Sequence, residues 1–229
     1  MLTKTLVPHS VAREIQTMIH AGSLKPGEKI PSQREFSQKF GISRASLREA
    51  LLTLETLGLL KTEPGRGTFV ADPAAASAAS MATWRYSDSY SVFDVFQTRI
   101  LLEGEIARLA AGRLTPHQLE RMEAATLTME ECWGKHDLLA NVDADLEFHS
   151  TIVTACANAM LKALYQTVRD QMTETQRQPM PITDPERMGK SIAEHRRIIA
   201  ALKANDSAAA CREMQAHIRN TALCAGLSP

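Results

Sequence analysis

One carboxylate and three imidazoles stand at spacings that could bring them onto a single ion. Asp145 and His149 are four residues apart, so on a helix both project from one face. That face continues with the apolar Ile152 and Cys156, which turns the pair inward. His195 lies ten residues before Asn205 and His217 eleven after Asp206. If Asn205-Asp206 is the turn of an antiparallel helical hairpin, each histidine stands roughly 15 Å from it, side by side, at about 1.5 Å of rise per residue. A lone i,i+4 pair more often only stabilises its helix, but the mirrored histidines reverse that balance. The four together make a ligand set for a divalent transition metal, zinc before nickel or manganese, with coordination positions left open. His9, His20, His117 and His136 fall at segment ends or beside polar neighbours and read as surface histidines.

A second set of side chains suits a polyanion. Ser43 is placed to cap a helix whose apolar side carries Leu47, Ala50, Leu51, Leu54 and Leu57. At about 100° per residue, Arg44, Ala45 and Arg48 fall on the outward side, where they could reach a groove or form a solvated face. The free N–H groups and partial positive charge at that helix start suit a phosphate at Ser43 as well.

The elements that must position these groups divide the chain. In residues 1–71, Val11, Ile15, Met18 and Ile19 recur at helical spacing before Gly22 and Pro26-Gly27. Ser32 and Glu35 form a capping-box pair for a short second helix that ends at Gly41-Ile42, and the Ser43 helix follows. Two short helices joined by a glycine turn predict a helix-turn-helix. Segments 59–62 and 67–70 then read as strands around Glu63-Pro64-Gly65-Arg66, a wing whose Arg66 could enter a minor groove or meet a phosphate. Residues 72–91 read as a linker, with 74–79 able to extend as helix. Residues 92–229 read as six helices, 92–112, 115–135, 137–156, 160–176, 185–204 and 207–223, in an all-α antiparallel bundle. Thr115-Pro116-His117-Gln118 opens the second with a cap, a proline at the first position and a reciprocal glutamine. The fold class expected is mainly α.

Charge separates the same two parts. The chain is neutral overall, yet residues 1–70 carry 10 Lys/Arg against 6 Asp/Glu while the remainder carries 16 against 20, a basic head on an acidic body. The four cysteines lack C-x-x-C spacing and no signal-like segment is visible, which fits a reducing cytoplasm. No apolar run nears the roughly 20 residues of a bilayer crossing, which argues against a membrane partner.

The head resembles the GntR superfamily of bacterial regulators. The residues that carry the likeness are Gly27-Glu28-Lys29-Ile30-Pro31-Ser32-Gln33-Arg34-Glu35-Phe36, Phe40-Gly41-Ile42-Ser43-Arg44, Leu47-Arg48-Glu49-Ala50-Leu51 and Gly65-Arg66-Gly67-Thr68-Phe69-Val70. Ile30 and Gln33 replace the usual leucine and glutamate, and Ala45 a commonly larger side chain. The resemblance implies DNA contacts from Arg34, Ser43, Arg44, Ser46 and Arg48, with the Gly65-Arg66-Gly67 wing in the minor groove. The body is similar to the FCD effector domain of the FadR branch, through Arg99-x-x-Leu102-Glu103, Asp145-Leu146-Glu147-Phe148-His149, Asn158, Glu194-His195-Arg196, Asp206 with Ala210, and Met214-x-x-His217-Ile218. Six helices place it with the shorter VanR-like subgroup. That resemblance implies Asp145, His149, His195 and His217 as metal ligands and Arg99, Glu103 and Asn158 as effector contacts. It also implies a small carboxylate effector, and a homodimer on a near-palindromic double-stranded operator whose repression the effector relieves.

Two other functions fit parts of the pattern. The ion itself could be the regulatory signal. A metallohydrolase with an open metal site would use the head only for docking, but no nucleophile motif accompanies the ligands, Glu194 faces about 100° from the adjacent His195, and Glu147, two residues from Asp145 and His149, faces about 160° from both. Trp84, Tyr86, Tyr90, Phe93, Phe96 and Met129 could line a pocket for an aromatic acid, although their spacing suits core packing equally.

Overall fold

The computed structural model of the chain describes residues 3–72 and 84–229, which form two compact units. The proposed helical extension at 74–79 lies outside the described residues. The N-terminal unit begins with α1 (Thr3–His20), which buries Val11, Ala12 and Ile15. The capping box forms as the sequence predicts: Ser32 Oγ accepts from Glu35 N at 3.3 Å and Glu35 Oε2 accepts from Ser32 N at 2.7 Å, opening α2 (Gln33–Phe40). Gly41 ends it at φ 64°, a left-handed conformation that any Cβ would strain. Two residues later Ser43 caps α3 (Arg44–Thr56), its hydroxyl accepting from Ser46 N at 3.1 Å. The inner side of α3 buries Leu47, Ala50, Leu51 and Leu54.

Strands β1 (Leu60–Glu63) and β2 (Gly67–Val70) pair antiparallel with Leu60 opposite Val70. The chain at 27–30 adds a third short edge that the sequence did not announce, since Ile30 N donates to Thr68 O and Val70 N to Glu28 O, both at 2.9 Å. This edge ties the wing to the base of the helix-turn-helix.

In the second unit the described residues form α4 (Val92–Ala110), α5 (Pro116–Gly134), α6 (Leu138–Ala155), α7 (Ala159–Arg177), α8 (Pro185–Lys203) and α9 (Ser207–Cys224). A single 3-10 turn at Met180–Ile182, between prolines that cannot continue a helix, separates α7 from α8. Helix α4 packs along α9, α5 against α6 and α8, and α8 against α9. Gly104 makes the α4–α9 approach feasible: a Cβ there would fall 2.7 Å from Gln215 Cγ. Trp84 is buried and its indole donates to the Tyr90 carbonyl, so 84–91 is folded onto this unit and is no open tether. No helix among the described residues is long and apolar enough to cross a membrane.

Candidate metal centre and nucleic-acid interface

Each helix delivers its polar residues from a face that is otherwise apolar. On α6, Asp145 and His149 share the inner side with Phe148 and Ile152; on α8, His195 stands between Ile192 and Ile198; on α9, His217 lies between Met214 and Ile218. One donor atom from each of the four lies within 4.8 Å of the others. The rings of His195 and His217 are 4.4 Å apart, so the hairpin geometry expected around Asn205-Asp206 is realised. Asp145 Oδ1 is 3.2 Å from His195 Nε2 and 3.8 Å from His149 Nε2, while its Oδ2 accepts from Gln176 Nε2 at 2.8 Å.

The donor set fits a metal for a reason beyond proximity. Both ring nitrogens of His149 and of His195 are buried without a properly directed hydrogen bond among the described residues. Buried imidazoles normally satisfy at least one nitrogen, so two such rings side by side are expensive unless one nitrogen of each serves as a ligand. His149 Nδ1 does approach Glu103 Oε2 at 2.5 Å, but off the direction of the ring N–H. His217 is already oriented: its Nδ1 lies 2.8 Å from Glu194 Oε2, which leaves Nε2 for an ion.

Two buried acids stand behind the ligands. Glu103 pairs with Arg99, whose Nε donates to Oε1 at 2.7 Å, and Arg99 Nη1 also donates to Thr175 at 3.1 Å. Glu194 accepts from both terminal nitrogens of Arg187, at 2.9 and 2.8 Å, and from Asn220 at 2.8 Å. Burial works against ionising either acid, yet Arg99 with His149 in one case, and His217 with Arg187 in the other, bring both down to about 2. Burial likewise opposes the Asp145 carboxylate, and His149 and His195 still hold it well below the usual range. Burial, then the neighbouring His195, pushes His217 down to about 4, so the ring is neutral, as a ligand must be.

A cavity of about 50 Å³ opens beside this cluster, walled in part by Arg99, Asp145, His217, Met129 and Arg187. Arg99 is therefore where an effector contact is expected. Two other expected contacts are placed differently. Glu103 pairs with Arg99 and lies against His149, and it is not among the residues that wall the cavity. Asn158 is exposed, away from the cavity wall, and its amide oxygen caps α7 by accepting from Met160 N and Leu161 N at 3.0 and 3.1 Å. Of the aromatic-pocket set, Met129 reaches the cavity, while Phe96 is core packing under Arg99. Arg187 and Asn220 were missed by the sequence reading, and Glu194 was noted there only as a neighbour of His195 and not as a partner of His217. The available signal was Arg187 and Glu194 seven apart on one helix face.

In the other unit, Arg34, Arg44 and Arg48 are exposed together with Ser43 and Ala45, and Ser46 is half-buried. None of these three arginines is paired with a carboxylate among the described residues. Arg66 is exposed on the wing beside Gly65 and Gly67; it pairs with Glu63, and its guanidinium lies 5.5 Å from the Phe69 ring. The head thus presents three unneutralised cations from α2 and α3, and at the wing an arginine paired with Glu63.

Known proteins share both units. Residues 9–70 match the gntR family of bacterial regulatory proteins and residues 94–220 match the FCD domain. The transcriptional regulator LutR of Bacillus subtilis is 31% identical over 207 residues, covering 89% of this chain and 94% of its own. The Uxu operon transcriptional regulator of Escherichia coli is 28% identical over 216 residues, covering 92% and 83%. Among solved structures, E. coli McbR/YncC has the same fold with a TM-score of 0.56 at 21% identity, covering 98% of each chain.

Proposed function

This chain belongs to the gntR family of bacterial regulatory proteins and carries an FCD domain, and we propose that it represses transcription until a small carboxylate effector binds at a metal site in the helical bundle. It is a DNA-binding transcription regulator with an effector domain and not an enzyme. The finer reading rests on one observation: Asp145, His149, His195 and His217 converge beside a cavity that Arg99 also lines. A divalent ion bound there, zinc before nickel or manganese, would supply a Lewis-acidic anchor for the effector's carboxylate. Glu194 would keep the His217 ring turned with Nε2 inward, and Glu103 would hold Arg99 in place. Arg99 would then orient the acid through its remaining terminal nitrogen.

The ligands come from α6, α8 and α9, so occupancy of the cavity changes the packing of three helices at once. An effector can release DNA only through its higher affinity for the arrangement whose heads are misplaced. Two heads in a homodimer would read a near-palindromic operator, Arg34, Ser43, Arg44, Ser46 and Arg48 at the major groove and the Gly65-Arg66-Gly67 wing at the minor groove. The test is operator binding by fluorescence anisotropy, with a chelator arm and an Arg99→Ala variant. Arg99→Ala should keep its DNA affinity and lose effector-driven release. Release unchanged in that variant removes Arg99 from the site, and release by chelator alone makes the ion the signal.

A further inference from the structure

Resting on the reading of a metal-anchored carboxylate site, three separate features of the cavity narrow its occupant. We infer that the effector is a compact monocarboxylate with a short apolar substituent, and neither a dicarboxylate nor a polyhydroxylated sugar acid.

The first feature is size. Against the roughly 300–1,000 Å³ of a drug-sized ligand pocket, the cavity is small, about 50 Å³. An acid of three or four carbons is of that scale, and a six-carbon sugar acid has about twice as many heavy atoms.

Charge is the second. Glu103 with Arg99 and Glu194 with Arg187 form two buried ion pairs that cancel. The three imidazoles ligate only when neutral. Asp145 offsets one charge of a divalent ion, which leaves one positive charge for the occupant to neutralise. A single carboxylate does so; a second would be an anion with no cation left to pair with. The cleft next door offers no spare cation for it. Its Arg187 is held by Glu194, its Lys190 by Glu186 at 2.6 Å and its Arg197 by Glu213 at 2.9 Å.

The third is the chemistry of the wall. Met129, Val142, Met180 and Met188 contribute thioether and aliphatic surface. Much of the polar remainder already donates within the protein: Asn141 to Met129 O at 2.8 Å, Gln176 to Asp145 at 2.8 Å, Thr183 to Pro179 O at 2.8 Å and Thr221 to His217 O at 3.0 Å. A chain of hydroxyls would exchange water for few partners, whereas a methyl or ethyl group is accommodated.

The experiment is isothermal titration of the full chain, loaded with zinc and freed of excess, against L-lactate, L-malate and D-gluconate. L-Malate adds one carboxylate to the lactate skeleton, and D-gluconate keeps one carboxylate but extends the chain with hydroxyls. L-Lactate is expected to bind, with each of the others at least about 100-fold weaker. Binding of L-malate or D-gluconate within tenfold of L-lactate overturns the inference, as does retention of zinc with no binding of L-lactate. Failure of the underlying reading has a different signature, a chain that retains no divalent ion in metal analysis, and the inference falls with it.

Discussion

Replacing Glu194 by glutamine changes one atom in size and almost nothing in shape, yet it should cost most of the affinity for the metal. The carboxylate accepts at both oxygens: Oε1 from Arg187 Nη1 and Asn220 Nδ2, Oε2 from Arg187 Nη2 and His217 Nδ1. A glutamine has one accepting end. If its oxygen takes the Oε2 position, the amide hydrogens confront Asn220 and Arg187. If it takes the Oε1 position, they confront His217 Nδ1, which must then accept, and the ring proton moves to Nε2, the nitrogen whose lone pair an ion needs. Either arrangement also removes the only carboxylate paired with Arg187 among the described residues. Loss of such a supporting partner typically lowers metal affinity 10- to 100-fold, or about 1.4–2.7 kcal/mol. The metal-free variant should in addition be less stable by roughly 2 kcal/mol, less than a fully buried pair because Arg187 keeps some contact with water. Zinc affinity by competition with a chelating dye, and thermal unfolding in excess chelator, measure the two effects separately. Glu130→Gln, which disturbs only an exposed pair with Arg196, is the control and should change neither. A Glu194→Gln protein with undiminished zinc affinity would refute the idea that this acid sets the tautomer of His217.

Three further expectations address other parts of the molecule. Arg44→Ala combined with Arg48→Ala should weaken binding to operator and unrelated duplex alike and flatten the slope of log affinity against log salt by about 2; an unchanged slope would mean that neither guanidinium meets a phosphate. Gly104→Leu should lower stability by about 1–3 kcal/mol in denaturant unfolding, because α9 lies where the new side chain must go; an unchanged midpoint would show that the helices can part freely. Glu103 titrates near 2 when folded and near 4.5 otherwise, so its stabilising contribution, on the order of 3 kcal/mol, is complete above about pH 4.5 and is lost as pH falls toward 2. The difference in unfolding temperature between metal-free wild type and Glu103→Gln should therefore shrink from pH 7 to pH 3, and a constant difference would contradict that assignment.

What could be read from the sequence, and what could not, follows from the range over which each feature is determined. Ser32 with Glu35, Gly41 and Ser43 fix their helix ends through neighbours within three residues, so the helix-turn-helix is written locally and the structure reproduces it. The convergence of Asp145, His149, His195 and His217 was legible because helical spacing and a symmetric hairpin are also short-range geometry, counted along α6 or outward from one turn. Asn158, expected at the effector through resemblance alone, is the cap of α7, which starts at Ala159, and its oxygen accepts from that helix. Glu194 shows the other limit. Its direction, about 100° from His195, follows from the sequence, but that direction leads to His217 only because α8 and α9 pack at one particular height and rotation, which no period along α8 encodes. Glu103 is the same case across α4 and α6, where an acid expected to contact the effector pairs with Arg99 and lies against His149. Residues that would hold an ion are thus visible as a pattern, whereas the residues that would tune it belong to the register between helices. The size and charge of the cavity, on which effector choice depends, belong to that register too.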